Sequence, residues 1–351
     1  MKVFLFLALI LSSYSYAQSN HDHQDKTQKD GHHNSQMHDG DHHGGMGGTH
    51  GGHHKIDKTT LKLFFEPLPA AIIDEKKNAD LIKLGKQLYL DPRLSVNDQI
   101  SCNSCHRLDN FGVDSQATSP GHEGKRGSRN SPTTMNAALH ITQFWDGRAK
   151  DVEEQALGPI LNPIEMGKPN EAAVVNKLKK IEEYQALFAE AFKDEKDPIQ
   201  YRNIGKAIGA FERTLLTPSR FDDFLNGDET ALNDSEKRGL QKFVHMGCAT
   251  CHNGVALGGN SYKKIGLVKP YETKDMGRYE ITGLEIDKKV FKVPSLRNIT
   301  KTAPYFHDGS VATLDEAIEE MAEHQLGREV GPGFISDVKA FLGSLTSKDK
   351  E

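Results

Sequence analysis

Apolar positions recur at helical spacing in several separated runs of this chain. Between Asp80 and Leu90 they are Leu81, Ile82, Leu84 and Leu88, which predicts a helix stopped by Asp91-Pro92. Glu171 to Ala191 and Ile199 to Leu216 read the same way, the latter ended by Thr217-Pro218. Asn233-Asp234-Ser235-Glu236 has the form of a helix start, and the helix it opens runs through Leu240 and Phe243. Thr313 to Glu323, with a Thr cap and early acidic residues, and Gly333 to Leu345 complete the set. A lead-in segment, Leu61 to Leu68, precedes them all. Alternating, strand-like runs are sparse, so the expected class is all-α.

Two stretches at the start depart from this pattern. Residues 1–17 carry Lys2, an apolar run from Val3 to Leu11 and Tyr16-Ala17 before Gln18, the form of a secretory signal peptide. The run is too short to span a bilayer, and the expected location is periplasmic with no membrane insertion. Residues 18–59 form a second unit, and within it positions 19–54 hold ten of the seventeen histidines. A segment so polar cannot bury enough surface to offset its chain entropy, so a disordered His-rich tail is expected. The pairs His32-His33, His42-His43 and His53-His54, with Met37 and Met46, suit labile copper, nickel or zinc. A solvated linker without a metal role is the other reading. The remainder is long enough for two compact domains, 60–225 and 226–351. A formal net charge of −5 argues against a nucleic-acid partner.

The chemistry is concentrated in Cys102-Asn103-Ser104-Cys105-His106, which returns as Cys248-Ala249-Thr250-Cys251-His252. Each has the C-x-x-C-H form that attaches a c-type haem, two thiols for the vinyl edge and an imidazole for the iron. These are the only four cysteines, so none is left for a disulfide or a nucleophile. A structural zinc site built from two knuckles would ordinarily place them about 15–20 residues apart and has no use for the trailing histidines. Two covalent haem c groups are therefore expected, which also accords with export.

Comparison of the halves reveals an internal repeat. Ser131-Pro132-Thr133, Asn136 and Phe144-Trp145-Asp146-Gly147 return as Val293-Pro294-Ser295, Asn298 and Phe306-His307-Asp308-Gly309 with identical spacing. A duplicated cytochrome c-like haem domain accounts for this. Thirteen residues past Asp308 lies Met321, whereas thirteen past Asp146 lies Pro159, which cannot bind iron. A thioether on the sixth position closes an iron and raises its potential, so one haem is expected closed and the other open. Met276 competes with Met321 for that role, and core packing is the plain alternative for either. His122 stands in a Gly-, Ser- and Arg-rich loop from Asp114 to Ser131, flanked by Gly121 and Gly124.

These residues resemble a bacterial di-haem cytochrome c peroxidase from about residue 65 onward. The motifs are the two C-x-x-C-H sites, Phe144 to Ala149, Gln155 to Pro159, Asn162 to Met166, Phe291 to Asn298 and Thr302 to Gly309. The resemblance implies a peroxidatic haem on His106 and an electron-receiving haem on His252, with Met321 rather than Met276 as its axial ligand. His122 is implied as a removable cap on the first iron, Glu165 as the acid–base carboxylate and Gln155 as its neighbour. Trp145 is implied between the haems, and Asn130, Thr302 and Pro304 as ligands of a bridging calcium ion. The implied activity is reduction of hydrogen peroxide with electrons from a small cytochrome c or cupredoxin, commonly by a homodimer. Relatives that oxidise a partner protein carry tyrosine in place of the axial methionine, so Met321 favours peroxide. The alternatives are such a protein-modifying oxidase and a non-catalytic electron carrier. The His-rich tail has no counterpart in the family pattern.

Overall fold

The computed structural model describes residues 58–348. The expected signal peptide and all but the last two residues of the expected tail lie outside the described residues. In order, the helices are α1 (Lys58–Phe64), α2 (Ala79–Leu90), the single turn α3 (Cys102–Cys105), α4 (Val152–Leu161), α5 (Glu171–Leu178) and α6 (Glu182–Ala191). They continue as α7 (Tyr201–Glu212), α8 (Arg220–Leu225), α9 (Asp234–Met246), α10 (Tyr279–Thr282), α11 (Leu314–Leu326) and α12 (Pro332–Gly343). The strands β1 (Tyr262–Lys264) and β2 (Val290–Lys292) pair antiparallel, with Tyr262 opposite Lys292. The chain is thus helix-rich with little sheet.

Two apolar clusters hold these elements. In the first, Leu84, Leu88 and Tyr89 of α2 meet Ile204, Ile208 and Phe211 of α7, with Ile160 of α4 and Tyr184 and Phe188 of α6 closing around them. Helix α7 is buried on nearly every side because α2 and α4 both pack against it. The second cluster centres on Phe243 of α9 and Phe341 and Leu342 of α12. It also draws Leu61 of α1, Phe65 just beyond it and Phe221 of α8. Asp222 on α8 accepts hydrogen bonds from the fully buried Arg297, at 2.8 and 2.9 Å, and from Leu68 N, tying the segment after α1 to this second cluster.

Local signals explain most boundaries. Asn233 and Glu236 form a reciprocal capping box at the start of α9, and Thr313 with Glu316 does the same for α11. The run from Glu171 to Ala191, expected as one helix, is two. A turn at Lys179-Lys180-Ile181 redirects the chain so that Leu178 and Tyr184 reach the same cluster.

The same contacts recur in both halves. Gly85 of α2 lies where a Cβ would run into the Ala207 carbonyl and Phe211, and Gly239 of α9 stands likewise against Asp337 and Phe341. Asn136 and Asn298 both take left-handed backbone, each with φ 61°. Asn136 N donates to Leu215 O and Asn298 N to Leu345 O, and both side-chain amides donate to Thr217 Oγ1. At the seam, Asn130 N donates to His307 O at 2.7 Å and Lys292 N to Trp145 O at 2.8 Å.

Candidate active site

Both pentapeptides are built as tight turns. Ser101 and Ser104 cap α3 reciprocally, and His106 N closes on Cys102 O at 3.0 Å. In the second motif Gly247, with φ 99°, ends α9 in the left-handed region and starts the turn at Cys248. His252 N then reaches Cys248 O, also at 3.0 Å. The first histidine is held further by Tyr89, whose hydroxyl donates to His106 O at 2.7 Å.

The two motifs open into one continuous cavity of about 420 Å³, within the range of about 300–1,000 Å³ typical of cofactor pockets. All four cysteines and both motif histidines line it. The cysteines form no disulfide, and among the described residues no three His, Cys, Asp or Glu side chains gather as a metal cluster. Burial pushes the thiols of Cys102 and Cys248 up to about 12 and that of Cys105 to about 11, so none is a thiolate at neutral pH. Burial lowers both imidazoles, His252 to about 4. A neutral ring is the form that binds a metal. Their Nδ1 atoms are buried without a formed hydrogen bond, although the Pro132 carbonyl lies near His106 and those of Leu257 and Pro294 near His252. Paired thiols, a neutral imidazole beside them and an enclosing cavity, twice over, fit haem c.

Of the residues predicted around the first motif, Trp145, Gln155, Pro159 and Glu165 line the cavity. Glu165 accepts from Asn162 Nδ2 at 2.9 Å, and burial raises its carboxyl above the usual range against the opposing charge of Arg148. Trp145 Nε1 donates to Asn130 O at 2.9 Å. His122 is the exception. Its backbone N donates to Glu165 O at 2.7 Å and its ring packs on Gly167 and faces Glu123, but it is not among the residues that line the cavity. In the second half Met321 of α11 lines the cavity and Met276 does not, while Met246 also reaches it. Asn130, Thr302 and Pro304 all border the cavity at the seam.

Four cavity residues were not singled out from the sequence. Arg148 stacks over Phe144 at 3.5 Å and pairs with Asp146 at 2.8 Å. Glu212, at the end of α7, is buried beside the first motif. Lys292 and His140 meet across the seam at 3.1 Å. Arg148 and Lys292 lie inside the motifs Phe144 to Ala149 and Phe291 to Asn298, which was a signal. The others depend on which faces the fold brings together.

Fold and site define a protein with two C-x-x-C-H motifs of the haem-attaching form on one cavity, which also carries a carboxylate, Glu165, and a thioether, Met321. The sequence pattern of the family described as di-haem cytochrome c peroxidase matches residues 79–230. A cytochrome c551 peroxidase of Nitrosomonas europaea is 48% identical over 284 residues, covering 80% of this chain and 84% of that protein. A cytochrome c551 peroxidase of Pseudomonas aeruginosa is 42% identical, covering 81% and 84%. Among solved structures, a MauG-like protein associated with microbial copper homeostasis is 30% identical with a TM-score of 0.71, covering 81% of this chain and 94% of that one. The chain belongs to the di-haem cytochrome c peroxidase family and is a di-haem peroxidase. No helix among the described residues is long and apolar enough to cross a membrane.

Proposed function

We propose that the chain reduces hydrogen peroxide in the periplasm at its first-motif site, with the reactive proton carried by Glu165. The reaction consumes two electrons and two protons and yields two waters. When bound, haem on the two motifs supplies the iron centre for O–O cleavage and the store for both electrons. The observation that carries this reading is Glu165 itself, a cavity-lining carboxylate held by Asn162 and raised by burial. A carboxylate so placed can take the proton from one peroxide oxygen and return it to the other. Gln155 reaches the same cavity to orient the substrate, and Phe144 with its stacked Arg148 walls it.

His106 and His252 would each hold the iron of the haem on its own motif, and Met321 would add a thioether ligand to the second, a reading supported by its place on the cavity where Met276 has none. His122 is assigned as the removable cap. The neighbouring Gly121 and Gly167 let this loop lie close to residues 164–167, beside the cavity-lining Glu165, which supports that reading. Trp145 is assigned to the path between the haems. Asn130, Thr302 and Pro304 are assigned to calcium, a hard cation that takes oxygen ligands. Both amide hydrogens of Asn130 are committed to Gln116 O and Ala117 O, leaving Oδ1 as the acceptor end.

The recurring glycine crossings and left-handed asparagines support an internal duplication into domains 60–225 and 226–351, each contributing one motif. The donor is read as a small cytochrome c or cupredoxin, and the assembly as a homodimer. Replacing Glu165 with Gln tests the central assignment. Turnover with peroxide should fall by about 10²–10⁴-fold, the usual worth of a positioned acid–base group, with both haem spectra intact. Unchanged turnover would refute it.

A further inference from the structure

Lys292 is 7% exposed, and its ammonium points into the seam between the halves. It donates to His140 Nδ1 at 3.1 Å and to Thr142 O at 3.0 Å, two neutral acceptors. Among the described residues no carboxylate pairs with it, and Asp146 acts on it only from further away. Burial lowers the ammonium to about 8, so it is a cation at neutral pH. Burial and Lys292 together hold His140 well below the usual histidine range, so that ring is neutral. Both side chains border the cavity. An ammonium has three N–H donors and two are used here. A buried charge of this kind is costly unless an anion meets it.

The internal repeat sharpens the point. Asn130, Thr302 and Pro304, the residues assigned to calcium, are each 162 positions from Lys292, His140 and Thr142, the same separation as Asn136 from Asn298. One side of the seam thus gathers oxygen acceptors, and its mirror position already holds a positive charge. Lys292 stands two residues before Pro294, whose carbonyl lies near His252.

We propose that Lys292 is a tethered cation that holds a carboxylate of the second-motif haem at the seam, with His140 and Thr142 positioning it. Haem c carries two propionates on the edge opposite its thioethers, and these are the anions that accompany the cavity's expected occupants. The proposal rests on reading the cavity as a haem site but not on the calcium assignment.

The test uses the haem-loaded protein with Lys292→Met, covalent attachment of both haems being verified by mass. Potentiometric titration followed by EPR separates the two ferric centres. Removal of the charge should lower the reduction equilibrium constant of the second-motif haem at least tenfold, about 59 mV for one electron, whereas Lys292→Arg should stay within about threefold of wild type. Unchanged potentials in the loaded Lys292→Met protein would overturn the inference alone. Should that variant fail to load, wild-type resonance Raman decides. Propionate bending bands that shift in D2O support a carboxylate accepting from N–H, and bands indifferent to D2O overturn it. A wild-type protein without covalent haem would remove the reading of the cavity and this inference with it.

Discussion

Glu212 shows how a single residue in this protein is governed by its surroundings. It ends α7 at 3% exposure. Burial pushes its carboxyl up to about 8, with the charge of Glu153 adding to the effect and Arg213 opposing it. The folded protein therefore keeps a proton there that the unfolded chain releases near its ordinary value of 4.5. The group's contribution to stability is complete below that value and is lost as pH rises toward 8. Glu212→Gln should accordingly gain in melting temperature relative to wild type as pH is raised from 5 to 8. A difference between the two proteins that is flat in pH would contradict the assignment. Nothing in the sequence marked Glu212, because its run reads as an ordinary amphipathic helix and its burial comes from other elements. Glu165, by contrast, stood in a recognisable motif, although its contact with Asn162 and the cause of its raised carboxyl became visible only in three dimensions.

At the level of elements, the pair α2–α7 and the pair α9–α12 cross at a glycine. Close approach at Gly85 lets Tyr89 and Phe211 meet edge to face at 5.3 Å, and at Gly239 it lets Phe243 and Phe341 meet, tilted, at the same distance. A methyl group at either glycine would meet a backbone carbonyl of the partner helix. Gly85→Ala and Gly239→Ala should each cost about 1–3 kcal/mol, the usual penalty of overpacking, measured by denaturant unfolding of the loaded protein. Unchanged midpoints would show that the helices can separate without loss. Helices with strong caps, such as α9 and α11, were legible in the sequence, since Asn233 and Thr313 announce them. Helix α4 was not anticipated because Pro159 lies inside it and interrupts the apolar spacing. The three-residue strands β1 and β2 are too short to leave a periodic signal.

Across the whole molecule, the two halves share contacts but differ at the positions proposed above to face iron. Pro159 of α4 and Met321 of α11 are equivalent in the repeat and both border the cavity, so the difference in sequence becomes a difference in the side chains that line it, a thioether in one half and none in the other. Arg129 joins the halves by pairing with Asp146 on its own side and bidentately with Asp275, at 2.6 and 2.8 Å, on the other. Motif spacing made the sequence repeat readable. The packing of α1 and α8 into the second cluster was not, because Leu61, Phe65 and Phe221 look like any apolar residues until their neighbours are known.

The central claim is that one iron is capped by sulfur while the other can be reached by substrate. The most direct test is to prepare the protein with one haem reduced, record its EPR spectrum and mix it with one equivalent of peroxide in a stopped-flow instrument. The account predicts a high-spin, ligand-accessible ferric centre at the first motif and a rapid change in the Soret region. Two low-spin, six-coordinate centres with no response to peroxide would contradict it.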